Sequence, residues 1–290
     1  MACGIMHSSI RLLIGDPIPD VAKVLTRYES LCKTYSQFKV AYIARGALQT
    51  IRNLQGNASN PLVLTGEYMD EDKVIQELQK GDIRIMLTPI LHFKLMVAVL
   101  LNENQAAHDL YQRLHANFKG FIFPFIPIYQ KLYRGLVATA LARESTGWAR
   151  RKHLAEARNV LNTLKKRLPN CPDNISPKIA LIEAELEFCS GRFSAALLKY
   201  DVAISSSQLQ GFVSDQAIAS EKAGRMLMQA GRHSEARSYL QNARLHYKSW
   251  GLQIKVDELD RFLHSVSKAD QTEATRVSQN SIQNLQALAS

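Results

Sequence analysis

Apolar residues return every three or four positions along most of this chain, the period of a helix that buries one face. Val21, Val24, Leu25, Tyr28, Leu31 and Cys32 form one such row. Phe38, Val40, Ile43, Leu48 and Ile51 form the next. Gly56, Asn57, Ser59, Asn60 and Pro61 then interrupt the pattern and predict a loop. Helices are expected over 70–78, 82–101 (with Pro89 as a kink or boundary), 104–114, 121–141 and 254–266. Before them, Gly15, Pro17 and Pro19 mark a turn.

The pattern is most regular from Cys171 to Gly251, where it reads as one helical hairpin written twice. Ala184, Gly191, Ala196, Tyr200 and Ala203 are followed, each 40 positions later, by Gly224, Gly231, Ala236, Leu240 and Ala243. A fixed period of this size marks stacked helical repeats. A small residue midway along the first helix admits a close neighbour, and Gly191 or Gly231 can end it in the left-handed conformation. The following residues, spaced by four and three, share one face of the second helix. Two earlier segments fit the same template: Ala107, Tyr111 and Leu114, then Ala157, Leu161 and Leu164, with Ser145 in the place of Ala184. The anchor alanines at 107, 157, 196 and 236 are separated by 50, 39 and 40 positions, so the early part is irregular. Trp250 and Gly251 close the last hairpin, the tryptophan as a plug and the glycine as a helix end.

The expected fold is therefore all-α, a TPR-like α-solenoid of stacked antiparallel helical hairpins. Its divisions are an N-terminal tail over 1–14, a repeat domain over 15–266 and a flexible tail or linker over 267–290. Within the repeat domain, 15–144 is the irregular part and 145–266 the more regular one.

Composition narrows the function. The formal charge of +10 raises nucleic acid or an anionic membrane as partners. The basic residues are spread over many helices, however, apart from Arg150-Arg151-Lys152 and Lys165-Lys166-Arg167, and no aromatic residues interleave with those two clusters to stack bases. A solvated basic surface is the simpler reading, and no nucleic-acid partner is expected. The apolar runs 91–101 and 121–128 are too short to span a bilayer, and 1–14 lacks a secretory core, so a cytoplasmic location is expected. Cys3, Cys32, Cys171 and Cys189 form no CxxC pair and read as reduced thiols.

Catalytic signatures are missing. Gly15-Asp16-Pro17 lacks the lysine and hydroxyl of a phosphate loop, and no kinase signature, GxSxG elbow or HExxH pattern occurs. His108 and His115 are two helical turns apart, too far for a shared metal. Asp70-Glu71-Asp72 reads as a helix start. Glu183 and Glu185 diverge on a helix. Glu221 lies in a run of small residues; if buried, it would need Arg225 or Arg244 as partner. No catalytic, metal or cofactor residue is assigned.

Taken in order, the residues resemble the TPR-like helical region of large multidomain signalling ATPases. The resemblance runs from Gly15-Asp16-Pro17 through Phe38, Ile51 to Gly56, Tyr68 to Glu71 and Lys94-Leu95. It is densest at Cys171 to Asn174, Glu183 to Glu185, Gly191-Arg192, Tyr200, Ala203-Ile204 and Gly211 to Val213. Ala217, Glu221, Tyr239-Leu240, Ala243-Arg244, Tyr247, Trp250-Gly251 and Lys255-Val256 complete it. In that family a Ser/Thr kinase-like domain and a P-loop ATPase precede the helical region, and a GAF domain and a histidine kinase or other output domain follow. The residues here match the helical region alone. The resemblance implies a non-catalytic interaction or regulatory module, with a protein partner or adjacent ATPase, GAF or kinase domains and a place in two-component signal transduction. A small-molecule-sensing module that controls an ATPase or kinase partner is the alternative; an enzyme with an unfamiliar site is a third, less supported one.

Overall fold

The computed structural model describes residues 1–80, 86–117 and 126–266. The segments expected as a helix start at 121–125 and as a tail at 267–290 lie outside the described residues. No strand occurs among those described.

The fold is all-α. Its helices are α1 (Ala2–Ile14), α2 (Ile18–Thr34), α3 (Phe38–Leu54), α4 (Glu71–Lys80), α5 (Leu87–Leu100) and α6 (Asn104–Asn117). They continue with α7 (Ile126–Glu144), α8 (Gly147–Lys165), α9 (Pro172–Cys189), α10 (Phe193–Leu209), α11 (Val213–Gln229) and α12 (His233–Trp250). A further helix, α13, is described over 253–266. Consecutive helices pack on one another as hairpins from α1 to α3 and from α5 to α12, with α4 outside this series.

The helices divide into two layers. Among the odd-numbered ones, α3 packs on α5, α5 on α7, α7 on α9 and α9 on α11. These helices are buried around most of their circumference; in α5 only Lys94 of the fourteen residues is not buried. The even-numbered α8, α10 and α12 bury one stripe each, such as Ala196, Tyr200, Ala203 and Ser207 of α10. That difference follows from position: an inner helix has neighbours on three sides, an outer one on a single side.

The first fourteen residues correct the sequence expectation. They are not a tail but α1, with Ile5, Leu12 and Leu13 fully or almost fully buried. The helix packs against α3 and also against α11, more than 200 positions later. Ser214 donates from Oγ to the Leu13 carbonyl at 2.7 Å. A Cβ on Gly15 would lie 2.4 Å from the Ser214 nitrogen. The two ends of the inner row are thereby joined. This escaped the sequence reading because α1 is short and its buried face includes Ser8 and Ser9, whose hydroxyls bond back to Gly4 and Ile5 carbonyls.

Turn chemistry sets the repeat. Gly191, Gly211, Gly231 and Gly251, 20 positions apart, all take positive φ. After each, the next residue donates its N–H five positions back, as Arg192 does to Glu187 and Phe212 to Ser207. These are Schellman ends, which cap the last carbonyls and turn the chain sharply into the next helix. Between α7 and α8 no such turn exists: Ser145 and Thr146 alone connect them. Ser145 therefore sits in the connection and not midway along a helix, which corrects its assignment to the Ala184 position. Close approach in that hairpin falls instead to Gly135, where a Cβ would lie 2.7 Å from Ile182 Cδ1 and 3.4 Å from Val160 Cγ1.

The repeat positions Ala107, Tyr111, Ala157, Leu161, Ala184, Ala196, Tyr200, Ala203, Ala236, Leu240, Ala243 and Trp250 are all buried. None of the described helices is long and apolar enough to cross a membrane.

Candidate functional site

The inner helices carry charge where a solenoid core is usually apolar. Glu185 of α9 is 1% exposed, yet it is ionised by its surroundings. Burial alone would raise its pKa. The Arg143 and Lys222 charges, with hydrogen bonds from Tyr200 and Arg143, outweigh burial and hold it at about 2. Arg143 donates from Nη1 to Glu185 Oε2 at 2.8 Å, and Tyr200 donates its hydroxyl to Oε1.

Glu221 of α11 repeats the arrangement one layer on. Lys255 donates to its Oε1 at 2.9 Å, Arg225 to the same atom at 2.7 Å and Tyr247 to Oε2 at 2.7 Å. Burial again raises the pKa, and Lys255 and Arg225 bring it down to about 2. Of the two partners expected for Glu221, Arg225 is used. Arg244 is not; it turns outward to Asp260, with Nη2 donating to Oδ2 at 2.9 Å. Arg225 and Lys255 also both bond Glu258. A chain of opposite charges thus runs from α7 through α9 and α11 to α13.

Part of this chain opens into a cleft of about 320 Å³. Arg143 and Ala140 of α7, Glu185 and Phe188 of α9, and Lys222 and Arg225 of α11 line it, with Asn102 and Asn104 at one side. The Arg143 guanidinium lies 4.5 Å from the Phe188 ring centroid, which fixes its plane. Lys222 is the least satisfied member. Its ammonium has only Glu185, at 3.9 Å, and no hydrogen bond. Burial lowers its pKa, with the Glu185 charge opposing.

A second buried pair joins α9 to α11. Lys178 donates to Asp215 Oδ2 at 2.6 Å, both side chains being 2% exposed. The rings of Tyr129 and Phe212 stand 4.5 and 4.6 Å from the ammonium.

The remaining sequence candidates are placed as follows. Glu183 points away from Glu185 and bridges Lys165 and Lys199. His108 meets His153 edge to face, while His115 stacks on Tyr111. Among the described residues, no three His, Cys, Asp or Glu side chains are grouped to hold a metal. All four cysteines are free. Glu71 opens α4 and accepts the Leu64 N–H at 2.8 Å and the Lys94 ammonium. Both basic clusters lose a cation to internal bonds: Arg150 caps the carbonyls of Ala142 and Cys189, and Lys165 pairs with Glu183. Trp250 is fully buried, stacked on Tyr247, and Gly251 ends its helix at φ 96°.

Sequence reasoning missed Arg143, Lys178, Lys222 and Lys255. A signal for two of these layers lay in the repeat itself. Asp215 and Lys255 are 40 apart, as are Glu185 and Arg225, so one register carries an acid in one hairpin and a base in the next. Compared with known proteins, the chain matches no family model, no curated protein and no solved structure.

Proposed function

We propose that this protein is a non-catalytic helical-repeat interaction and regulatory module, part of or derived from a multidomain ATPase or sensor-kinase signalling protein. The observation that supports this best is the outer face of α10. Leu198, Val202 and Leu209 stand 68%, 53% and 83% exposed. Their spacing of four and seven puts them on one stripe of the helix. A row of large aliphatic side chains in water is costly unless something covers it. Trp148 of α8 and Leu245 of α12 extend the exposed apolar groups of the outer layer. The buried carboxylates Glu185 and Glu221, which would be the natural acid–base candidates, are committed to structural ion pairs. The family resemblance supplies the partner class: an ATPase, GAF or kinase domain in the cytoplasm.

The test is binding of the purified chain to such domains encoded beside it. Leu198→Glu with Leu209→Glu, both at exposed positions, should abolish the complex and leave melting unchanged. A complex that survives both substitutions overturns the reading, as does saturable ATP turnover by the chain itself.

A second reading is favoured by one specific observation. The Arg143–Glu185–Lys222 cleft has polar and charged walls drawn from three successive hairpins. That suits a small-molecule-sensing module that controls an ATPase or kinase partner.

A further inference from the structure

We propose that the cleft between α7, α9 and α11 binds a small anion of metabolite size through a carboxylate or phosphate group, received by Lys222 with Arg143 and Arg225. The proposal rests on the sensing-module reading and gives it a ligand class.

The argument begins with unmet hydrogen bonds. An ammonium has three donors, and at Lys222 none is used. Its side chain is 14% exposed and lines the cleft, so only water or a ligand there can take them. A charge held in that state is costly unless a counter-charge reaches it. The nearest carboxylate cannot serve fully, because Glu185 already accepts from Arg143 and Tyr200.

The two arginines add further donors. Arg143 commits Nη1 to Glu185, and Arg225 commits Nε and Nη2 to Glu221 and Glu258. Nη2 of Arg143 and Nη1 of Arg225 have no partner among the described residues. Planar guanidinium groups present such donors to carboxylate or phosphate oxygens. Charge points the same way. In the network of contacting charges, Arg143, Lys222, Arg225 and Lys255 stand against Glu185, Glu221 and the partly exposed Glu258, four positive groups to three negative. One further negative charge balances it. Glu144, the other carboxylate on the lining, is exposed at the rim and accepts from Asn104.

Fixed geometry makes the site ready without rearrangement. Phe188 holds the Arg143 plane, and the Glu185 and Glu221 pairs hold both arginines in place. A preorganised set of donors loses less entropy on binding. The volume of about 320 Å³ admits a metabolite and not a folded partner.

The test is calorimetric titration of the whole chain, at low ionic strength, with inorganic phosphate, succinate, glucose and spermidine. Phosphate or succinate should bind saturably at one site. Lys222→Gln should weaken that binding at least tenfold, and Lys222→Arg should retain most of it. Glu144→Gln, at an exposed position, should tighten it severalfold; it decides the matter should Lys222→Gln fail to fold. An anion that binds a folded Lys222→Gln variant as well as the wild type overturns the proposal, and so does an unchanged affinity in Glu144→Gln. Glucose or spermidine binding in the cleft while neither anion binds sinks the anion and leaves the sensing reading standing. No saturable binding by any of the four overturns the anion site.

Discussion

Gly224 of α11 faces Leu240 of α12 so closely that a Cβ on the glycine would lie 2.6 Å from Leu240 Cγ, and 3.1 Å from the Ala236 carbonyl oxygen. In an open helix, replacing glycine by alanine adds about 0.5–1 kcal/mol of stability. Here the Cβ meets a side chain that is itself fully buried and a backbone oxygen that cannot retreat. Gly224→Ala should therefore destabilise by about 1–3 kcal/mol, the usual cost of overpacking. Urea unfolding measures it. A variant as stable as the wild type would mean that Leu240 yields freely and that this contact does not set the helix spacing.

The left-handed turns make a prediction of opposite sign. Gly15, Ser36 and Gly56 end α1, α2 and α3, at intervals of 21 and 20, and Ser36 adopts φ 53°. Its turn has the same bonds as the glycine turns, with Gln37 donating to the Cys32 carbonyl. A residue with a Cβ is strained there, and Ser36 is exposed, so no packing is lost by removing its side chain. Ser36→Gly should raise stability by about 0.5–1 kcal/mol, read as a higher melting temperature. An equal or lower value would show that the turn tolerates serine without strain.

That serine also explains what the sequence concealed. From Cys171 to Gly251 the spacing of small residues, and of the glycines that end helices, was legible because each position keeps its residue type. Near the N-terminus the turns at Gly15, Ser36 and Gly56 keep nearly the same spacing, but Ser36 stands in place of a glycine, so the repeat is visible in backbone angles and not in letters. The helix α1 was hidden for a different reason, since Ser8 and Ser9 share its buried face with Ile5, Leu12 and Leu13. The charged cleft was hidden because its pairs are long-range: Arg143 is 42 positions from Glu185, and Lys255 is 34 from Glu221. Local spacing recovers i,i+4 pairs such as Glu221–Arg225 but not those.

The Lys178–Asp215 pair separates the cost of breaking an ion pair from its net worth. Asp215→Asn leaves an ammonium buried against Tyr129 and Phe212 without a counter-charge. The expected loss is about 3–5 kcal/mol. Replacing both partners, as Lys178→Met with Asp215→Leu, removes the stranded charge and should cost much less than the single change. Chemical denaturation of the three proteins measures the difference. A double variant that is as unstable as Asp215→Asn would mean that shape, not charge, governs the α9–α11 contact.

His92 gives the fold a pH dependence with a definite sign. It is fully buried in α5, stacked on Tyr133 at 5.8 Å, and neither ring nitrogen has a hydrogen-bond partner. Burial pushes its pKa down from 6.5 to about 3. The unfolded chain therefore takes up a proton first as pH falls below about 6.5, and stability drains away from there toward pH 3. Between pH 7.5 and 5 the loss is about 2 kcal/mol, given 1.36 kcal/mol for each unit. Glu185 and Glu221, held at about 2, add a loss of the same sign, but only as pH falls from about 4.5 toward 2. His153 and His246, whose pKa values burial also lowers, titrate in the upper window in both proteins compared. The difference between wild type and His92→Phe thus isolates His92. Relative to the wild type, the variant should gain about 2 kcal/mol between pH 7.5 and 5, measured by urea unfolding at each pH. A difference that stays constant across that range would place the imidazole in contact with water or a proton acceptor, and not in the dry interior of α5.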